Sequence, residues 1–176
     1  YAVNSEENAS PIRFTKDGSK FYLISNKGIS VDKSELYLYD LKTGKIDFVE
    51  KDPLDEVDFS DVIFSDITNE ILATVYEGDR LRIYPKDKKF AKDLETLKAK
   101  LPEGELSLRS VTSDENLWIV GVSRDVDPGS VYLFDRKKGE VELLYKSRPN
   151  LPTEHLANMK PIRYKSKDGL EIPAYL

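Results

Sequence analysis

The sequence predicts an all-β fold: a partial β-propeller of about three four-stranded antiparallel blades, with one short inserted helix and a terminal hairpin. Three observations lead there. A pattern of short strands recurs, headed by Phe14, Phe64 and Val111, which lie 50 and 47 residues apart. The strands are rich in β-branched and aromatic residues, and the turns between them carry Gly, Asp, Asn and Ser. In Glu35-Leu-Tyr-Leu-Tyr the leucines share one face and the tyrosines the other, as in a strand covered on both sides. An antiparallel sandwich or meander with a chance repeat is the competing arrangement.

Taken in order, the first copy reads Phe14-Thr-Lys-Asp-Gly-Ser-Lys-Phe-Tyr-Leu-Ile-Ser25, a strand end, a polar turn and a second strand. Ser34-Glu-Leu-Tyr-Leu-Tyr-Asp40, a Lys42-Thr43-Gly44 turn and Lys45-Ile-Asp-Phe-Val49 complete it. The second copy runs from Phe64 to Val75 and then through Arg80-Leu-Arg-Ile-Tyr84. Where its fourth strand should lie, Phe90, Leu94, Leu97 and Leu101 are spaced by four, three and four, which predicts an amphipathic helix over 88–101. Lys92, Asp93, Glu95, Lys98 and Lys100 would form its wet side, and Pro102 with Gly104 would end it. The third copy holds Val111-Thr-Ser-Asp-Glu-Asn-Leu-Trp-Ile-Val120, Ser130-Val-Tyr-Leu-Phe-Asp135, Lys137-Lys-Gly139 and Glu140-Val-Glu-Leu-Leu144. Blades are therefore expected at about 9–53, 57–102 and 106–146, followed by a connector over 147–160 with two prolines. Over 161–176, two extended runs flank Lys167-Asp168-Gly169, and Asp-Gly between alternating apolar residues predicts a hairpin. The chain begins at Tyr1-Ala-Val without an initiator Met and stops in mid-strand at Tyr175-Leu176, so it is expected to be a piece of a longer protein.

Composition bounds the function. With 27 basic and 32 acidic residues well mixed, the net charge is -5 and no basic stripe exists to read nucleic acid. No apolar run approaches membrane-spanning length. Cysteine is absent, which excludes disulfides, thiolate metal sites and a Cys nucleophile, and which fits cytoplasm and periplasm equally. A single histidine leaves little room for a His-based metal site or triad.

The blade motifs, with Leu-Tyr-Leu-Tyr-Asp40 followed by Lys-Thr-Gly44, resemble the propellers of the prolyl oligopeptidase family of serine peptidases. Met159-Lys-Pro-Ile-Arg-Tyr-Lys-Ser-Lys-Asp-Gly-Leu-Glu-Ile-Pro-Ala-Tyr-Leu176 resembles the segment where those enzymes re-enter their α/β-hydrolase domain. Ser123-Arg-Asp-Val-Asp-Pro-Gly-Ser-Val-Tyr-Leu-Phe-Asp135, ahead of Arg148-Pro-Asn-Leu151, is similar to the last blades of the acylaminoacyl-peptidase and dipeptidyl-peptidase-like branch. The resemblance covers nearly the whole chain, with blade motifs that TolB-like propellers share. It implies a two-domain hydrolase in which a catalytic domain carries Ser, Asp and His, while the propeller covers the active site and admits short peptides. Residues 161–176 would then be the first hairpin of that α/β-hydrolase domain. The expected partners are the hydrolase domain and the remaining blades, with short peptides as substrate of the whole protein. No nucleic acid, membrane, cofactor or metal is expected. Three blades are fewer than the roughly four to eight of a closed propeller, so self-association through uncovered blade faces is a further expectation. A TolB-like, non-enzymatic interaction platform is the alternative reading, and an extracytoplasmic sensor or carbohydrate-binding propeller a weaker one, given the lone Trp118.

No Gly-x-Ser-x-Gly elbow occurs, so no position is assigned as catalytic, cofactor-binding or metal-binding. The weighed candidates each have a plainer explanation. His155 would need a nucleophile and an orienting carboxylate, and it reads as a structural or solvated histidine. The acidic run Asp52, Asp55, Glu56, Asp58 and Asp61 lacks EF-hand spacing and reads as a solvated inter-blade loop. Asp125-Val-Asp127-Pro-Gly reads as a turn rather than a calcium site. Lys86, Lys88, Lys89 and Lys92 form a basic patch at the helix start, best explained as an exposed loop. Tyr22, Tyr37, Tyr39, Tyr84, Tyr132 and Tyr145 fall within strands and suit packing between blades.

Overall fold

The computed structural model describes residues 4–28 and 32–176; the opening Tyr1-Ala-Val lies outside the described residues. Two compact units, Tyr1–Phe90 and Ala91–Leu176, make up the chain.

In the first unit, β1 (Ala9–Phe14), β2 (Lys20–Ser25), β3 (Glu35–Asp40) and β4 (Ile46–Glu50) form an antiparallel meander in sequence order. A second meander follows from β5 (Asp61–Phe64), β6 (Ile71–Glu77) and β7 (Leu81–Pro85). Aromatic pairs lie across the first sheet, with Phe21 opposite Tyr39 and stacked at 4.9 Å, and Tyr37 opposite Phe48 edge-on at 6.0 Å. The core of the unit is shared by its two sheets. Leu36 comes from β3, Val62 and Tyr76 come from β5 and β6, Phe59 from the segment that leads into β5, and Tyr22, Ile24, Phe64 and Tyr84 pack against them. Each such large apolar side chain contributes roughly 1.5–3 kcal/mol on burial, so this interface stabilises the unit. Polar staples fix its register. Arg13 on β1 donates to Asp66 at 2.7 Å and lies over the Phe64 ring at 5.0 Å. Glu50 on β4 accepts from the Thr74 and Tyr76 hydroxyls at 2.8 and 3.0 Å and pairs with Lys86 at 2.6 Å.

Helix α1 (Lys88–Lys100) stands where a fourth strand would follow β7. Asp87 caps it by accepting from the Phe90 amide at 2.7 Å, and Lys98 with Lys100 in the last turn suits the helix dipole. Phe90, Leu94, Leu97 and Leu101 are all buried. Asp93 departs from its expected place on the wet side. It is buried and ion-paired, because it lies three residues from Phe90 and four from Leu97 and so shares their face.

The second unit carries β8 (Glu105–Val111), β9 (Leu117–Arg124), β10 (Asp127–Asp135) and β11 (Glu140–Lys146), again a four-stranded antiparallel meander. Trp118, Val120, Val131 and Phe134 are its most buried apolar side chains. The expected Asp125 to Gly129 turn is shorter in the structure. Only Asp125 and Val126 turn, Asp127 already pairs with Arg124, and Pro128-Gly129 sit within β10 at an irregularity in the register. Proline is tolerated there because a bulge needs no ladder donor, and Gly129 takes a φ of 108°. After the connector, β12 (Pro161–Lys165) and β13 (Glu171–Tyr175) form a separate two-stranded hairpin. Among the described residues the strands fall into separate antiparallel sheets of two to four strands, the make-up of a partial β-propeller.

The repeat is reproduced in turn chemistry. Between β1 and β2, the Asp17 carboxylate accepts from the Thr15 hydroxyl, the Ser19 hydroxyl and the Ser19 amide, while Gly18 takes a left-handed φ of 69°. Between β8 and β9, Asp114 does the same for Thr112 and Asn116, with Glu115 left-handed at 54°. These hydrogen bonds hold both carboxyls down at about 2, against an ordinary 3.8. The β3–β4 and β10–β11 turns are likewise twins. Asp40 accepts from the amides of Lys42 and Thr43, Asp135 from those of Lys137 and Lys138, and each turn closes on a left-handed Gly44 or Gly139.

Candidate functional site

The acidic run was expected to be a solvated loop, and its first member is not. Asp52 is 2% exposed. Its carboxylate accepts from the backbone amides of Leu54, Glu56 and Val57 at 3.2, 2.9 and 3.1 Å and from the Arg82 guanidinium at 2.9 Å. Burial raises its pKa, but the amides of Glu56, Leu54 and Val57 together with Arg82 outweigh it and the carboxyl sits below its ordinary range. This arrangement winds residues 52–57 around one carboxylate. The other acids disperse: Asp55 pairs with Lys51 at 3.0 Å, Glu56 with Arg82 at 2.9 Å, and Asp58 accepts from the Ser34 amide at 2.6 Å. Asp61 accepts from the Val62 amide next to it. Among the described residues no group of three or more His, Asp or Glu is placed to hold a metal ion.

Asp125 and Asp127 act on backbone as well, though not only locally. Asp125 accepts from the Val126 amide at 3.0 Å and from the Met159 amide at 2.7 Å, tying the connector to the β9–β10 turn. Asp127 accepts from the Gly129 amide at 2.8 Å. His155 lies exposed at the end of a single 3₁₀ turn, Thr153–His155. Of the basic patch, Lys86 is engaged with Glu50, whereas Lys88, Lys89 and Lys92 are exposed. The structure therefore brings none of these candidates together.

The densest polar cluster is one that local reading missed. Arg136, at the β10–β11 turn, donates through Nε and Nη2 to Asp93 at 2.8 and 2.5 Å and through Nη1 to the Glu115 carbonyl at 2.9 Å. Its guanidinium lies over the Trp118 ring at 4.4 Å, and the Trp118 indole N–H donates to the same Glu115 carbonyl at 3.0 Å. The Arg136 and Asp93 side chains are 6% and 11% exposed. Each guanidinium nitrogen and the indole N–H has an acceptor, so the cluster is a clamp of helix, turn and sheet. The available signal was the spacing of Asp93 with Phe90 and Leu97.

No family model matches the chain. It is 28% identical over 167 residues to dipeptidyl aminopeptidase BIII of Pseudoxanthomonas mexicana, covering 95% of this chain and 24% of that protein. It is 23% identical over 169 residues to dipeptidyl peptidase family member 6 of Caenorhabditis elegans, covering 94% of this chain and 22% of that protein. Among solved structures, a prolyl endopeptidase aligns with 99% of this chain and 24% of its own, at a TM-score of 0.61 and 16% identity. A puromycin-hydrolyzing peptidase of Mycobacterium tuberculosis aligns with 96% of this chain and 26% of its own, at a TM-score of 0.56 and 20% identity. The likeness to solved structures is one of fold, that of prolyl oligopeptidases. Along nearly its whole length the chain is similar to two proteins named as dipeptidyl peptidases, and it spans about a quarter of the length of the relatives it matches.

Proposed function

We propose that the chain is the non-catalytic propeller segment of a longer serine peptidase that hydrolyses short peptides, and that it covers the active site and limits which substrates enter. The carrying observation is the match over 95% of this chain to only 24% of a dipeptidyl aminopeptidase. On this reading residues 9–53, 57–102 and 106–146 are blades, 147–160 is a connector, and 161–176 opens the α/β-hydrolase domain. Exposed apolar surface supports it. Tyr164, Leu170 and Tyr175 on the terminal hairpin are 55%, 62% and 46% exposed, and a two-stranded hairpin is marginal alone, so a hydrolase domain is its natural cover.

Expression of the whole reading frame beside the 176-residue chain tests this. Each is incubated with a fluorophosphonate probe and with short chromogenic peptides. Labelling and turnover by the long form alone is the expected result. Absence of labelling in both forms refutes the serine peptidase and favours a TolB-like interaction module.

A further inference from the structure

The first and third sheets are copies, and one of the places where they differ is the pairing of their first two strands. In the first sheet Ser10 faces Ile24 across β1 and β2, and the register slips between Pro11 and Arg13, leaving Ile12 bulged. In the third sheet Ser107 faces Gly121 across β8 and β9, and the register slips between Leu108 and Ser110, leaving Arg109 bulged. Ile24 packs into the apolar core of its unit, and at its counterpart there is no side chain at all. The exposed Ile12 has become an exposed arginine.

The Ser107 hydroxyl and the Arg109 guanidinium fill the vacated space. A Cβ on Gly121 would lie 2.5 Å from Ser107 Oγ, 2.6 Å from Arg109 Nε and 2.9 Å from Arg109 Nη2. Both side chains thus converge on a backbone floor that only glycine leaves open. Neither side chain has a hydrogen-bond or ion-pair partner among the described residues. Their strand is a sheet edge, and a bulge is the usual means of re-aiming one side chain there. A guanidinium fork beside a hydroxyl matches an oxyanion through charge-assisted, two-point hydrogen bonds. Strand alternation brings Glu105 to the same side as Ser107, which favours a singly charged guest over a phosphate dianion.

We propose that Ser107, Arg109 and the Gly121 backbone form a docking notch for a carboxylate, and that its guest is the C-terminal carboxylate of a short peptide. The identity of the guest rests on the peptidase reading above; the notch itself does not. The test is an NMR titration of the ¹⁵N-labelled 176-residue chain with an N-acetylated dipeptide, as free acid and as amide, and with acetate alone. The free acid is expected to shift the Ser107 and Gly121 amides, and the amide to bind about tenfold more weakly or worse. Arg109→Gln should bring the free acid down to the affinity of the amide, with Arg109→Lys intermediate. Trp118 fluorescence reports that each variant is folded. Equal affinity for acid and amide, or an unchanged titration in Arg109→Gln, overturns the notch. Shifts with acetate but none with the dipeptide acid overturn the peptide as guest. Because no readout requires hydrolysis, a whole protein that fails to react with fluorophosphonate sinks the peptidase reading without deciding the titration.

Discussion

Removing the Asp93 carboxylate should unclamp the second unit. Asp93 and Arg136 are 11% and 6% exposed, and their two hydrogen bonds are 2.8 and 2.5 Å long. Breaking a buried ion pair from one side costs about 3–5 kcal/mol, because the remaining charge stays desolvated. Asp93→Ala should fall at the low end, about 3 kcal/mol, since Arg136 keeps the Glu115 carbonyl and has the Glu115 carboxylate 3.8 Å away. Arg136→Ala should cost more, about 4–5 kcal/mol, because it also removes the guanidinium from the Trp118 face and strands Asp93. The double variant should then cost little beyond Arg136→Ala, giving a coupling energy of about 2–3 kcal/mol. Urea unfolding followed by the fluorescence of Trp118, the single tryptophan and the ring under the guanidinium, measures all three. High salt should leave the penalties in place, since a buried pair is screened far less than an exposed one. A loss below about 1 kcal/mol in Asp93→Ala, or strict additivity in the cycle, would show a solvated pair and refute the clamp.

Three further outcomes are expected. Asp52→Asn should destabilise the first unit by about 3 kcal/mol, because Arg82 loses its buried counter-charge; a loss under 1 kcal/mol in urea denaturation would contradict the Asp52 hub. The Asp17 and Asp114 carboxyls, held at about 2 against an ordinary 3.8, should titrate near pH 2 in carbon-detected NMR. Since the folded values lie below the unfolded ones, the stability they supply is present above pH 3.8 and is lost as pH falls through 2, so midpoints near 4 would refute the turn assignment. Gly169 has a φ of 89° with open space around it, so Gly169→Ala should strain the terminal hairpin by about 1 kcal/mol without a clash. Faster amide exchange at Ser166 and Lys160 is the readout, and unchanged protection would count against it.

What the sequence disclosed and what it withheld divide by distance along the chain. Strand order, the helix in place of a fourth strand and the Asp-Gly hairpin all follow from neighbours a few residues apart. So do the twin turns of Asp17 with Asp114 and Asp40 with Asp135, where each carboxylate serves amides two or three positions away. The burial of Asp52 is decided by Arg82, 30 residues downstream, while Asp93 answers Arg136, 43 residues downstream, although its spacing from Phe90 and Leu97 already sets it on the buried face. An acid beside charged neighbours looks solvated until its cation is known. The turn at Pro128-Gly129 was placed too late for a related reason: the two-residue turn ahead of it is fixed by pairing of Asp127 with Arg124, which composition does not encode.

The copies also separate what the fold requires from what it does not. A carboxylate at the β1–β2 and β8–β9 turns, and an aspartate closing β3 and β10 onto a left-handed glycine, recur because a tight turn with exposed amides needs an acceptor. Pairing of Phe21 with Tyr39 recurs as Trp118 with Phe134 because the sheet needs bulk there. By the same measure, the exchange of Ile12 and Ile24 for Arg109 and Gly121 is not explained by any contact among the described residues of this chain. It removes an apolar side chain at an interior position and sets a charge at a bulge, changes that cost stability rather than add it. Strain and lost burial without a structural return concentrate where a protein binds something. The carboxylate notch is therefore the place in this chain where departure from the repeat is itself the observation, and the Arg109→Gln titration is the measurement that decides it.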